Sequence, residues 1–175
     1  MTHTDKKYPP EAIANNILWL ADEEGRPVTP MQLIKLVYFV YGWVLALLDR
    51  KLFDDPIEAW QHGPVVPRIY YQFQKFGGDP ITAFAVTPEL DAETGAVIKK
   101  RYPVVDPEDK EVLAIIQAVW SAYKKRDGWG LSAITHEEDS AWRKAYQEGK
   151  YTRLDDAEIK ARSLEGIDKY YGQAK

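Results

Sequence analysis

The stretch VTPMQLIKLVYFVYGWVLALLDR, residues 28–50, decides the fold. Thr29 is a good N-cap, Pro30 suits the first helical position, and Gln32 follows the threonine by three residues, as a capping box requires. Apolar residues then recur at helical spacing over a very wide stripe: Leu33, Leu36, Val37, Val40, Val44, Leu47 and Leu48. The pattern predicts a buried helix over 30–48 that forms the axis of the core, with Leu36, Val40 and Val44 nearly inaccessible.

The apolar run at its centre, 36–48, is bracketed by Lys35 and Asp49 and is shorter than the roughly 20 residues that cross a bilayer. The N-terminal residues lack the apolar core of a signal peptide. The chain has no cysteine, which excludes disulfides, thiolate catalysis and cysteine-ligated metals. We therefore expect a cytoplasmic protein that needs no membrane and holds no metal or other cofactor.

The length of 175 residues predicts a single domain over 1–175, and the 45% hydrophobic content is enough for a core. The net charge of -4 argues against nucleic acid as a partner, because a field of this sign slows encounter with phosphates. The two basic clusters, 99–101 and 124–126, are short and typical of a solvated surface.

Further helices are predicted from periodicity and capping residues. They cover 11–22, 68–76, a segment opened by Asp106-Pro107 and ended by Asp127-Gly128, 131–136, 141–147, and a last helix that begins at Asp155 with Glu158 as its capping-box partner. Residues 57–61 read as extended, and 81–86 with 96–102 could form a small hairpin. The fold class is mainly α: a single compact helical domain around a central hydrophobic helix, with a minor β-hairpin possible.

A second stretch, EAWQHGPVVPRIYYQF at 58–73, is rich in conformationally restricted residues. Gly63 permits unusual backbone angles, and Pro64 and Pro67 each fix φ. Trp60 and Tyr70 can pack around the bend. By itself the stretch predicts a rigid corner that leads into a helix.

Enzyme signatures fail on context. The GWGLSA run at 128–133 resembles a dinucleotide loop but follows a predicted helix rather than a strand. His62 and His136 could act as acid and base, or hold a metal, if they met in space. A structural histidine whose ring nitrogen bonds a backbone carbonyl is the favoured interpretation of each.

Three runs together carry a family resemblance: LIKLVYFVYGWVLAL at 33–47, IEAWQHGPVVPRIY at 57–70 and LSAITHEEDSAWRKAY at 131–146. In this order they resemble the Panacea domain family, phage-associated proteins that include the SocA-like antitoxins. The resemblance covers roughly residues 29–150. It departs from the family pattern at Ala141, where a proline often precedes the tryptophan.

The resemblance implies a compact, mainly α-helical domain without known enzymatic activity. Members commonly neutralise a toxin encoded beside them, and at least one acts as an adaptor that delivers its toxin to a Clp-type protease. It places the following residues in a structural or interaction role: Lys35, Tyr38, Trp43, Trp60, His62, Gly63, Pro64, Tyr70, Ser132, His136 and Trp142.

Three hypotheses follow. The leading one is a non-enzymatic antitoxin that binds a cognate toxin directly, and the net acidity suits a partner with a basic surface. The second is a proteolysis adaptor, and the third an enzyme that uses His62 and His136.

We expect the His62-Gly63-Pro64 corner to be buried against the segment of His136 and Trp142, with the His62 ring bonded to backbone. We also expect Trp43 and Trp120 to be buried and Trp129 to be exposed.

Overall fold

The computed structural model describes residues 6–173. These residues form seven α-helices and two short hairpins, so the prediction of a mainly α fold with a minor β element is confirmed. The elements are α1 Pro10–Glu23, α2 Pro30–Leu48, β1 Glu58–Trp60, β2 Gly63–Val65, α3 Pro67–Phe73, β3 Thr87–Leu90, β4 Val97–Arg101, α4 Lys110–Tyr123, α5 Gly128–Thr135, α6 Ala141–Glu148 and α7 Asp156–Gly172, with a 3-10 turn at Gln74–Phe76 after α3.

Helix α2 begins and ends where its sequence predicts. The Thr29 side chain accepts from the Gln32 amide, and the Gln32 side chain accepts from the Thr29 amide, which completes the capping box. At the other end Asp49 adopts left-handed backbone angles. Helices α1, α3, α4, α5 and α7 and strand β2 all contact α2. Leu36, Val40 and Val44 are nearly inaccessible, as predicted.

The inference that this region is too short to cross a bilayer needs correction. The helix includes 30–35 as well as the apolar run, and its 19 residues are long and apolar enough to span a membrane by length and composition. However, 72% of its most apolar window is buried inside the protein. Such burial is typical of a core helix in a soluble protein, because the apolar stripe already has partners.

Two helices begin at other residues than predicted, because an N-cap side chain must lie within hydrogen-bonding distance of an amide in the first turn. Asp109, rather than Asp106, caps α4 by accepting from the Val112 amide. The segment after α4 turns, and Asp127 then caps α5 through the Gly130 amide, so α5 begins at Gly128 instead of 131. At α7 the predicted cap Asp155 is present. Its expected capping-box partner Glu158 instead binds Lys144 of α6.

The predicted hairpin exists, but its first strand is β3 and not 81–86. The 81–86 segment is bonded to other parts of the fold: Ile81 donates to the Val28 carbonyl, and the Ala85 amide donates to the Asn15 side chain of α1. A second hairpin, β1–β2, was not predicted. Of the segment 57–61 expected to be extended, 58–60 forms β1, but Gln61 lies in the turn. The outer edge of β1 also pairs with the chain at 151–154.

Candidate functional site

The corner hairpin, residues 58–65, is formed by β1, the Gln61-His62 turn and β2. Gly63 has φ +109°, a conformation that side chains rarely adopt. A Cβ atom there would lie 2.6 Å from Thr135 Oγ1 and 2.8 Å from Lys35 Nζ. Glycine is therefore required for two reasons: the backbone angle and the close approach of α2 and α5.

Backbone carbonyls along the corner hairpin accept hydrogen bonds from helix side chains. Trp142 of α6 donates through Nε1 to the Trp60 carbonyl at 2.7 Å, and Ser132 of α5 donates to the His62 carbonyl at 2.8 Å. Lys35 of α2 donates to the Pro64 carbonyl at 3.1 Å. Three helices thus fix one short turn, because buried carbonyls must be paired.

His136 packs into the same assembly. Its Nδ1 lies 2.6 Å from the Ser132 carbonyl, and its Nε2 lies 3.4 Å from the Gln61 carbonyl. Its ring packs against Trp142, with centroids 3.8 Å apart. The prediction that this histidine bonds backbone at a turn is confirmed.

The prediction for the His62 ring is wrong. The corner packs against the segment of His136 and Trp142 as expected, but His62 contributes its carbonyl while its side chain is exposed. Its ring contacts Trp129, with centroids 5.2 Å apart. The reversed twist at Gly63 points the His62 carbonyl inward, and the side chain then has to leave on the opposite side. The two histidine rings therefore sit in different surroundings.

Lys35 is a buried cation, with only 2% of its surface exposed. Burial lowers the pKa of its ammonium group to about 7, because the charged form loses its hydration. Within residues 6–173 no carboxylate forms an ion pair with it. By contrast the buried Arg50 pairs with Asp109 at 2.8 Å.

The outer side of the corner carries aromatic side chains. The Trp60 ring contacts Tyr70 at 4.8 Å, Tyr71 at 6.4 Å and Tyr151 at 5.5 Å between centroids. Tyr71, Tyr151 and Trp129 are each about 60% exposed. Beside them is a cleft of about 370 Å³, whose wall includes Lys35, Trp60, His62, Tyr70 and Tyr151. We call it the corner cleft.

The sequence matches the model of one protein family. The model of the family "Antitoxin SocA-like, Panacea domain" matches residues 33–143, which is more than half of the chain and includes most of α2, the corner hairpin and α5. The chain belongs to this family. Its resemblance in the three sequence runs is therefore confirmed.

A curated member of the Panacea family shows the same relationship over a longer span. The Antitoxin SocA of Caulobacter vibrioides (strain NA1000 / CB15N) is 25% identical over 142 residues, which cover 81% of this chain and 72% of the relative. No solved structure matches the chain.

The other Panacea positions, Tyr38 and Trp43, lie on α2 away from the corner. Both line a different cleft, together with Tyr123 and Arg162. Trp43 is buried as predicted, as is Trp120, and burial raises the pKa of Tyr38 well above its usual range. Six of the candidate residues therefore line one of two clefts: Lys35, Trp60, His62 and Tyr70 line the corner cleft, and Tyr38 and Trp43 line the other. Within residues 6–173 it groups no His, Asp or Glu side chains as a metal site would require.

Sequence reasoning missed Tyr151. This residue has φ +66°, which is rare for a bulky side chain, and its ring stands at right angles to Trp60. Nothing in the local sequence signals such a conformation, because the bonds of 151–154 to β1 impose it. Trp129 was predicted to be exposed, and its exposure is confirmed.

Proposed function

We propose that this Panacea protein is an antitoxin that neutralises a cognate toxin by direct contact. The observation that carries the proposal is the two-sided corner. Its inner side is bonded to three helices through backbone carbonyls, and its outer side presents exposed aromatic rings next to a cleft. Protein interfaces are enriched in exposed Trp and Tyr side chains held on a rigid backbone, because such side chains lose little conformational entropy on binding.

A non-enzymatic role is part of the proposal. The His136 ring is oriented by carbonyl oxygens of the protein itself, and His62 lies against Trp129. Acid–base chemistry needs a ring nitrogen directed at a substrate. These contacts favour a structural role for His136 and a surface role for His62.

We further propose that residues 1–175 form one domain with α2 at its centre, and that the protein works in the cytoplasm. The contacts of α2 with five helices and β2, and one shared hydrophobic core, support this. The net charge of -4 favours a toxin with a basic surface over a nucleic-acid partner.

Co-expression with the product of the adjacent toxin gene tests the proposal. The toxin alone should stop growth, and this protein should restore it and copurify with the toxin as a stable complex. Failure to bind the purified toxin would contradict direct neutralisation.

The adaptor hypothesis predicts a different result in the same cells. There the toxin's half-life should fall when this protein is present, and deletion of the Clp-type protease should abolish rescue. Direct neutralisation predicts rescue without the protease and a toxin that persists.

A further inference from the structure

We propose that the corner cleft receives an acidic side chain of the toxin, which pairs with the Lys35 ammonium group. The inference rests on the antitoxin function proposed above and adds the chemistry of the contact. It assigns Lys35, Trp60 and Tyr151 to binding, and it identifies an Asp or Glu of the partner as the residue recognised.

Lys35 has unfilled hydrogen-bonding capacity. An ammonium group carries three donors, and in this structure its hydrogen bond goes to the Pro64 carbonyl. The side chain is almost fully buried, yet no carboxylate within residues 6–173 pairs with it. The charged form of a buried amine is costly without a counter-charge, whereas a carboxylate entering the cleft would supply that partner and favour the ammonium form.

The other residues of the corner cleft also suit a carboxylate. Gln61 and Gln74 also line it, and their amide groups can donate to a carboxylate. Trp60, Tyr70 and Tyr151 supply aromatic walls, and a bound partner that covers them would exclude water and so strengthen the charge pair. One cation with two amides suits a single carboxylate better than a phosphate, which proteins bind with arginines or clustered backbone amides.

Two exposed aromatic rings contact residues of the cleft wall. Tyr71 lies beside Trp60, and Trp129 lies beside His62. A partner that covers both rings needs chain beyond its acidic residue. An internal Asp or Glu has chain on both sides, whereas a C-terminal carboxylate has chain on one side only.

A titration of the protein alone tests the cleft without any toxin. Phenylacetate and the neutral phenylacetamide are matched in shape and differ in charge. By NMR, phenylacetate should shift the amide resonances of Gly63 and Tyr151, phenylacetamide should shift them much less, and Lys35→Met should abolish the difference. Equal shifts with both compounds, or none with phenylacetate, would overturn the carboxylate site.

Calorimetry with the purified toxin tests the contact itself. Lys35→Met should weaken binding by about 100-fold, because the toxin's acid is left buried and unpaired. Tyr151→Ala should weaken it by about 10-fold. The control is Tyr102→Ala, which removes an equally exposed ring outside the cleft and should change affinity less than about twofold. Because Tyr151 is exposed, its variant stays informative even if Lys35→Met folds poorly.

Substitution of each toxin Asp and Glu by its amide, in wild type and in Lys35→Met, identifies the partner residue. For one toxin Asp or Glu, substitution should weaken binding to wild type but not to the Lys35→Met variant. The inference is wrong, while the antitoxin function stands, in two cases. In the first, no toxin Asp or Glu has an effect on binding that depends on Lys35. In the second, only blocking the toxin's C-terminal carboxylate has such an effect. If wild type does not bind the toxin, both are wrong.

Discussion

Gly63 shows how one residue can carry both a backbone requirement and a packing requirement. Gly63→Ala should lower the free energy of unfolding by about 2–4 kcal/mol, from backbone strain plus overlap with Thr135 and Lys35. Urea denaturation measures this. Gly25→Ala is the control, because Gly25 has φ +60° but open space around it, and about 1 kcal/mol is expected. Equal losses would show that the close approach at Gly63 contributes nothing.

His62 and Ser132 separate the roles of side chain and backbone at the corner. His62→Ala should change stability by less than about 0.5 kcal/mol, since the exposed ring is not what the core bonds. Ser132→Ala should cost about 1–2 kcal/mol, because it leaves the His62 carbonyl without its donor. Thermal melts of both variants check this, and a larger loss for His62→Ala would reverse the assignment.

Lys35 predicts a pH dependence of stability. Its folded pKa is about 7 and its ordinary value is 10.5, so between these values the unfolded chain binds more protons than the folded protein. This side chain therefore makes stability rise with pH over that window, by about 1 kcal/mol per pH unit. Lys35→Met should lack this contribution. Between pH 7 and 9 the free energy of unfolding of wild type should rise relative to that of the variant. If the two free energies changed equally with pH, burial of a titrating Lys35 would be contradicted.

A charge placed on the buried face of α2 tests the role of this helix in the core. Val40→Asp should cost about 3–5 kcal/mol, because Val40 is wholly inaccessible and a carboxylate there would lose its hydration. Leu47→Asp is the matched control on the same helix: Leu47 is 48% exposed, so its loss should stay below about 1 kcal/mol. Chemical denaturation of the two variants checks the difference. Similar losses would mean that α2 is not the core helix.

At the scale of the whole molecule, Tyr8, Arg50 and Asp109 connect the N-terminal segment, the chain after α2 and the cap of α4. Arg50 pairs with Asp109 at 2.8 Å, and the Tyr8 hydroxyl donates to the same carboxylate at 2.8 Å. Burial opposes ionisation of Asp109, but the hydrogen bonds from Arg50 and Tyr8 outweigh it and hold its pKa below the usual range. Burial and the Asp109 carboxylate raise the pKa of Tyr8 to about 12.

Asp109→Asn should therefore cost about 3–5 kcal/mol near pH 7, since it leaves Arg50 buried and unpaired. The contribution of an ionised Asp109 is present above its ordinary pKa of 3.8 and is lost as pH falls through the lower folded value. The gap between wild type and variant should thus narrow in acid. Asp54→Asn, at an exposed ion pair with Lys7, is the control and should change stability little. A similar loss in both variants would contradict a special role for the buried group.

Local sequence determined most helices and the residues of the corner. The Thr29–Gln32 box, the stripe of α2 and the Gly63-Pro64 step each act through neighbours in the chain, so their effects could be predicted from spacing alone. The same is true of Trp43, Trp120 and Trp129, whose positions relative to apolar stripes and glycines indicated burial or exposure.

Tertiary structure alone decided which groups meet. Contacts between residues distant in sequence decide the pairing of β1 with 151–154, the left-handed conformation of Tyr151 and the burial of Lys35, which forms no ion pair within residues 6–173. The donor that the inward-pointing His62 carbonyl finds, Ser132, is likewise 70 positions away. Sequence patterns report which faces of an element are apolar. They do not report how elements approach each other, because that follows from packing the whole core at once.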